Sequence, residues 1–128
     1  MTASERPEFF SPAWWDAAAE AWNGSGQTRR MALFGTAVLR ATNASLPPIW
    51  IHWDSEGRIS RRATGRADDP EFSAPLENWK AFFQGRFTAG MGVLRYKIRF
   101  QGPVRRVLPY IGGFNEFARV AGGLLGRA

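Results

Sequence analysis

The first regular pattern along the chain is an apolar helical face. Its members recur at steps of one, three and four residues: Trp14, Ala18, Ala21 and Trp22. Ser11 and Pro12 come directly before this pattern, and a serine N-cap followed by proline at the first helical position is a typical helix start. Residues 23–26 read Asn-Gly-Ser-Gly, a sequence that ends a helix. The sequence therefore predicts a helix that begins at Pro12 and ends near Asn23.

The next part of the chain has the composition of strands separated by turns. The predicted strands are residues 31–42, 49–54 and 58–63, and the turns between them are residues 43–48 and 55–57. The short spacing predicts a three-stranded antiparallel meander. A charged loop follows over residues 65–70, and a short strand is predicted near residues 71–73.

A second amphipathic helix begins at Pro75 and ends at Gly85. Its apolar positions again recur at steps of three and four residues: Leu76, Trp79, Phe82 and Phe83. Residues 88–92 are rich in glycine and are predicted to form a connection or a helical turn.

Strict alternation marks the segment from Leu94 to Gln101. The apolar members are Leu94, Tyr96, Ile98 and Phe100, and the polar members are Arg95, Lys97, Arg99 and Gln101. This period of two predicts a half-buried strand with one apolar and one basic face, ended by Gly102 and Pro103. A last helical region is predicted over residues 104–125, with interruptions near Pro109 and at residues 112–113.

The predicted order of elements is α-βββ-β-α-β-α. Such an order indicates an α+β domain in which helices cover one face of an antiparallel or mixed sheet. The 128 residues, 45% of them hydrophobic, suffice for a single domain over residues 1–128 with one core.

The composition argues against most catalytic sites. The chain has no cysteine and a single histidine, His52, with Asp54 two residues along the same predicted strand face. That pair is a weak candidate for acid–base chemistry, and a structural histidine is the simpler interpretation. The sequence has no phosphate-binding glycine loop and no cluster of ligands with metal spacing. We therefore expect a protein that is not an enzyme and has no cofactor.

The targeting signals favour the cytoplasm. No apolar stretch approaches the roughly 20 residues of a membrane span, and the first ten residues carry charges where a signal peptide would be apolar. We expect a soluble, cytoplasmic protein.

Charge is distributed unevenly along the chain. The net charge is +6, and 15 of the 17 basic residues are arginine. Residues 1–57 carry four basic and six acidic residues (net −2), whereas residues 58–128 carry 13 basic and five acidic residues (net +8). A basic half that is rich in aromatic residues fits a nucleic acid, an anionic membrane surface or an apolar ligand that bears phosphate.

Four segments together resemble the type-2 sterol carrier protein domain. They are Ser11-Pro12-Ala13-Trp14-Trp15, the predicted strand and acidic turn of residues 49–57, residues 68–85, and the basic strand of residues 94–102. The third segment contains the pattern Leu-x-x-Trp-x-x-Phe-x-x-Gly, formed by Leu76, Trp79, Phe82 and Gly85. The segments span most of the chain in the order expected of the family.

The resemblance implies a five-stranded, mostly antiparallel sheet covered by helices on one face, with an apolar cavity between sheet and helices. Members of the family bind fatty acids, acyl-CoA esters, sterols or isoprenoid-like lipids without transforming them. The implied ligand-binding residues are Trp79, Phe82, Phe83, Met91, Leu94, Ile98, Phe100, Leu108, Ile111, Phe114 and Phe117. The implied contacts for an anionic head group or surface are Arg95, Lys97, Arg99, Arg105 and Arg106.

Simpler interpretations remain open for these residues. An aromatic helix face is more typical of a filled core than of a cavity wall, and charges on an edge strand discourage aggregation. The last helix is either docked core or a lid that moves about its glycines.

The function that the sequence favours is a non-enzymatic carrier of a long-chain lipid. The expected partners are a long-chain lipid or acyl-CoA, and transiently an anionic membrane or a lipid-metabolising enzyme. One alternative is an accessory domain that presents lipid to an enzyme of lipid or quinone metabolism. A single-strand nucleic-acid-binding module is less favoured, because aromatic residues that alternate with charges on a strand face away from them.

Overall fold

The computed structural model describes residues 7–125. The helices are α1 (Pro12–Asn23), α2 (Leu76–Phe83), α3 (Ala89–Leu94), α4 (Val104–Val107) and α5 (Ile111–Gly122). The strands are β1 (Gly35–Ala41), β2 (Ile49–Trp53), β3 (Ile59–Arg62), β4 (Glu71–Ala74) and β5 (Arg99–Gln101). Single 3-10 turns lie at Thr28–Met31, Leu108–Tyr110 and Gly123–Leu125. Most of the N-terminal stretch that argues against a signal peptide lies outside the described residues.

The five strands form one mixed sheet in the order β3-β2-β1-β4-β5. Strands β1, β2 and β3 are the predicted antiparallel meander, and β5 is antiparallel to β4. Only β1 and β4 run parallel, with Val38 opposite Glu71 and Ala41 opposite Ala74. The predicted α+β class and the mostly antiparallel five-stranded sheet are confirmed.

The helices cover one face of this sheet, and the core lies between them. Inward-facing strand residues include Ala37, Leu39, Ile51, Trp53 and Phe72, all of which belong to the main hydrophobic core. Five of the six tryptophans are almost fully buried: Trp14, Trp15, Trp22, Trp53 and Trp79. Much of the driving force for folding therefore comes from large aromatic side chains that each remove a wide apolar surface from water.

Helix α1 begins as predicted and is attached to the β2–β3 hairpin at its end. The Ser11 hydroxyl accepts a hydrogen bond from the backbone N–H of Trp14 at 3.2 Å. The side chain of Asn23 pairs with both backbone groups of Ile59, accepting at 2.7 Å and donating at 3.0 Å. An ion pair at 2.7 Å between Asp16 and Arg61 adds a contact to β3. These contacts fix α1 across the sheet.

The strand predicted over residues 31–42 begins later than expected. Thr28–Met31 form a 3-10 turn, and Leu33 adopts a positive φ of 66°, so extended backbone begins only at Gly35. An apolar run that lies partly in a turn has the same composition as a buried strand, which explains the error.

The prediction of a strand from Leu94 to Gln101 is wrong for its first half. Residues 89–94 form α3, and only Arg99–Gln101 form β5. The backbone N–H of Tyr96 donates to the Val93 carbonyl, and that of Lys97 donates to the Gly92 carbonyl at 2.8 Å. This pair of bonds is the Schellman end of a helix. Leu94 and Tyr96 therefore do not share a strand face with Phe100.

Helix α5 is docked against the rest of the molecule and buries Phe114, Phe117, Ala118 and Ala121. Gly113 lies where the helix passes close to the 3-10 turn Thr28–Met31, and a Cβ there would come within 2.7 Å of the Arg30 carbonyl oxygen. This glycine allows close packing and does not create a bend. In the part of the chain from residue 7 to residue 125, no helix has the length and apolar character needed to cross a membrane.

Candidate ligand-binding cavity

A cavity of about 260 Å³ lies between the sheet and the helices. Every residue that lines it is apolar or glycine. The lining consists of Leu39, Trp53, Phe72, Trp79, Phe82, Phe83, Ala89, Gly90, Val93, Leu94, Ile98, Phe100, Val104, Val107, Leu108, Ile111, Phe114 and Phe117.

Four strands form the sheet side of the cavity, and side chains of α2 and α5 form the opposite side. Leu39, Trp53, Phe72 and Phe100 come from β1, β2, β4 and β5, each at an inward position. On the opposite side, α2 supplies Trp79, Phe82 and Phe83, and α5 supplies Ile111, Phe114 and Phe117. The aromatic periodicity of α2 thus serves both as core and as cavity wall.

The cavity opens between α3 and α4. Four of its lining residues are also exposed to solvent: Val93 at 38%, Leu94 at 70%, Val104 at 55% and Leu108 at 57%. These four residues define the mouth. Residues that both line a cavity and are exposed to solvent indicate where a ligand can enter.

No side chain that lines the cavity carries a charge, and its only hydrogen-bonding groups are the indole N–H groups of Trp53 and Trp79. The indole N–H of Trp79 donates to the Arg40 carbonyl at 3.0 Å. The indole nitrogen of Trp53 is buried without a hydrogen-bond partner among residues 7–125, and its ring packs edge to face against Phe34, Phe114 and Phe117. Such a lining selects a ligand by shape and apolar area.

Most of the ligand-binding residues predicted from the sequence do lie around this cavity. They are Trp79, Phe82, Phe83, Leu94, Ile98, Phe100, Leu108, Ile111, Phe114 and Phe117. Met91 does not line it and is exposed to solvent. Leu94 reaches the cavity from the end of α3 and not from a strand as predicted.

Eight lining residues were not among the predicted ones. They are Leu39, Trp53, Phe72, Ala89, Gly90, Val93, Val104 and Val107. The alternation of β2, in which Ile49, Ile51 and Trp53 face inward, was a usable signal for Trp53. The local sequence does not identify Ala89 and Gly90 as lining residues, because a small residue borders a cavity only where the elements that face it leave the space unfilled.

The five predicted head-group residues occupy three different environments. Arg95, Lys97 and Arg105 are exposed, and none forms an ion pair with another described residue. Arg95 and Arg105 directly follow the mouth residues Leu94 and Val104 in sequence, and Lys97 lies three residues after Leu94. Arg99 is also exposed, but it belongs to β5 beside the inward-facing Phe100, so it points to the uncovered face of the sheet. Arg106 is half-buried, and its guanidinium donates to the Phe34 carbonyl at 2.9 Å.

The weak acid–base candidate lies on the uncovered face of the sheet, away from the cavity. His52 Nδ1 is 2.9 Å from the Thr36 hydroxyl, and burial together with the nearby Arg62 guanidinium lowers the pKa of His52 below 6.5. The Asp54 carboxylate instead accepts hydrogen bonds from the backbone N–H groups of Glu56 and Arg58 in the hairpin turn, which lower its pKa. The two side chains thus have separate structural partners.

Within residues 7–125 no three His, Asp or Glu side chains are grouped as metal ligands.

Comparison with known proteins places the fold. No family model matches the sequence, and no curated protein matches it. Among solved structures, a conserved hypothetical protein from Thermus thermophilus superposes with a TM-score of 0.71 at 18% identity, covering 91% of this chain and 90% of that one. A crystal structure of sterol carrier protein 2 gives a TM-score of 0.70 at 18% identity, covering 90% of this chain and 98% of the other.

A more distant likeness is to a UbiJ-SCP2 ubiquinone synthesis protein. The TM-score is 0.56 at 13% identity, and the match covers 83% of this chain and 90% of that protein. At these identities the likeness concerns the fold. The chain therefore has the fold of sterol carrier protein 2.

Proposed function

We propose that this chain binds one long-chain apolar ligand in the cavity and carries it without chemical change. The observation that supports the proposal most directly is a wholly apolar cavity with an exposed mouth. The fold shared with sterol carrier protein 2 agrees with it. A lining made only of apolar residues and glycine favours binding over catalysis within the cavity.

The size of the cavity sets how the ligand lies. About 260 Å³ is just below the range of roughly 300–1,000 Å³ typical of small-molecule sites. A long chain fills this space and continues through the mouth, so only part of it is buried. Ten buried methylenes contribute about 8 kcal/mol before the cost of ordering the ligand, which is enough for a useful affinity without polar contacts.

The surroundings of the mouth favour a ligand with an anionic end. Arg95, Lys97 and Arg105 are exposed near it, and guanidinium groups bind carboxylates and phosphates well. A fatty acid or an acyl-CoA ester places its charged end outside an apolar cavity, where these residues reach it. The proposed ligand is accordingly a long-chain acyl compound.

Native mass spectrometry of gently purified protein, with and without added palmitate, palmitoyl-CoA and an isoprenoid alcohol, tests the proposal. We expect a 1:1 complex with at least the acyl compounds. Absence of a complex with all three would overturn the carrier function.

Filling the cavity provides a sharper test. Gly90 lines the cavity, and a Cβ there would meet only Ile111 Cγ2 at 4.0 Å, so Gly90→Leu places a larger side chain at the lining without a backbone clash. We expect Gly90→Leu to weaken palmitate binding at least tenfold, measured by displacement of a fluorescent fatty acid. Burying three fewer methylenes would cost about 2 kcal/mol, more than such a tenfold loss.

Gly112→Leu is the matched control. Gly112 is exposed and does not line the cavity, and a Cβ added to it would have no other atom within 4 Å. The control should bind palmitate like the wild-type protein. Equal affinities for the wild-type and Gly90→Leu proteins would place the ligand elsewhere.

A second candidate is an accessory domain that presents its lipid to an enzyme of quinone or acyl metabolism. The likeness to a UbiJ-SCP2 ubiquinone synthesis protein favours it. In this case the protein co-purifies with a lipid-modifying enzyme when both are held by a mild crosslinker. A free carrier exchanges lipid between vesicles without such a partner.

A further inference from the structure

The mouth of the cavity is surrounded by exposed apolar side chains. Val93, Leu94, Val104 and Leu108 are joined by Tyr96, which is 86% exposed and does not line the cavity. We refer to these five residues as the rim. Most of the large hydrophobic residues that the described part of the chain exposes belong to this rim. Such a concentration is typical of an interaction surface.

Tyr96 has a backbone conformation that makes its exposure more informative. Its φ is +58°, and it occupies the position after the end of α3 that is usually glycine in a Schellman motif. Residues with a Cβ adopt this left-handed conformation at a cost in stability. A bulky aromatic side chain that is both strained and almost fully solvated does not stabilise the fold, so a role at the surface accounts for it better.

The chain segment that carries the rim is basic throughout. From Asn78 to Asn115 the sequence contains no Asp or Glu, and it contains seven basic residues: Lys80, Arg86, Arg95, Lys97, Arg99, Arg105 and Arg106. Three of these, Arg95, Lys97 and Arg105, alternate in sequence with rim residues and are exposed. A partner that covers the rim must therefore offer apolar and anionic groups together.

We propose that the rim docks the protein onto an anionic lipid bilayer, with the cavity mouth against the acyl-chain region. A bilayer offers apolar chains beneath a layer of negative charge, and aromatic residues with flexible cations are typical of membrane interfaces. The purpose of this docking rests on the proposed carrier function, because docking brings the cavity mouth to the lipid that is to be carried. The binding of the surface to vesicles is measurable whether or not lipid is taken up.

Cosedimentation with vesicles tests the proposal. The vesicles are phosphatidylcholine alone, or phosphatidylcholine with phosphatidylglycerol at about one-third of the lipid. We expect binding only to the anionic vesicles. The variant Arg95→Gln/Lys97→Gln/Arg105→Gln should lose about fivefold in affinity per charge, on the order of a hundredfold in total.

An equal loss of charge elsewhere is the control. Arg29, Arg58 and Arg66 are exposed and lie outside the segment that carries the rim, so Arg29→Gln/Arg58→Gln/Arg66→Gln should bind vesicles within a few fold of the wild-type protein. Equal losses in the two triple variants would show attraction by net charge alone and would overturn the proposal. Equal binding to neutral and anionic vesicles would also overturn it.

Tyr96→Gly separates docking from folding. Glycine relieves the strained conformation, so the melting temperature should stay the same or rise, while vesicle binding should fall several fold. Wild-type affinity in this variant would overturn the role of the rim. Palmitate binding in solution should not change, because Tyr96 does not line the cavity. Lipid uptake without vesicle binding overturns the docking surface alone, and vesicle binding without uptake overturns only the carrier function.

Discussion

Arg105 and Arg106 are adjacent in sequence, but only Arg106 is held by a distant part of the chain. Its guanidinium donates to the Phe34 carbonyl at 2.9 Å, and Cζ lies 5.5 Å from the centre of the Phe34 ring. Arg105 is exposed. The sequence grouped both with the head-group residues, because their partners cannot be seen from local pattern. The role of a residue whose partner lies 72 positions away in the sequence cannot be assigned until the fold is known.

The difference between the two arginines predicts different stability effects. Arg106→Ala should lower the free energy of unfolding by about 1.5–3 kcal/mol, the range for a hydrogen bond to a charged group. Arg105→Ala should change it by less than about 0.5 kcal/mol, as is usual for surface substitutions. Urea denaturation of both variants measures this. Equal effects would mean that the bond to Phe34 contributes little to stability.

At the scale of elements, periodicity predicted the helices better than the strands. The aromatic steps of α2 and the capped start of α1 correspond to real helices, because both signals act within one or two turns. The alternation from Leu94 to Gln101 was misleading, since residues 94–97 are all exposed at the end of α3 and burial alternates only over residues 98–101. Neither the Schellman bonds nor the strand length can be deduced from alternation.

The docking of α5 gives a prediction in which two neighbouring glycines have opposite effects. A Cβ at Gly113 would meet the Arg30 carbonyl oxygen at 2.7 Å, so Gly113→Ala should destabilise the protein by about 1–3 kcal/mol. Gly112 has open space, and Gly112→Ala should stabilise by up to about 1 kcal/mol through helix propensity. Thermal unfolding of the pair is the measurement. A destabilised Gly112→Ala would indicate that α5 is packed differently.

At the scale of the whole molecule, the hydrophobic pattern predicted the α+β class, and the residues implied by the family resemblance include ten of the 18 that line the cavity. Helix faces such as Phe114 and Phe117 are apolar whether the space beside them is filled or empty. A cavity is a difference between the volume enclosed by several elements and the volume of their side chains, so no local signal encodes it. Its mouth was not predicted for a related reason, because Leu94 was assigned to a strand and the α4 residues to an interrupted helical region.

A cavity that opens to solvent links ligand binding to the stability of the entire fold. A ligand that binds only the folded protein stabilises it by about 2.7 kcal/mol at a hundred times its dissociation constant. For a chain of 128 residues this raises the melting temperature on the order of 10 °C. We expect this shift with palmitate in differential scanning calorimetry. Butyrate should give none at the same concentration, because its short chain buries few methylenes. The Gly90→Leu protein, with a larger side chain at the lining, should show a much smaller shift than the wild type. A full shift in that variant would show that palmitate stabilises the fold from a site other than the cavity.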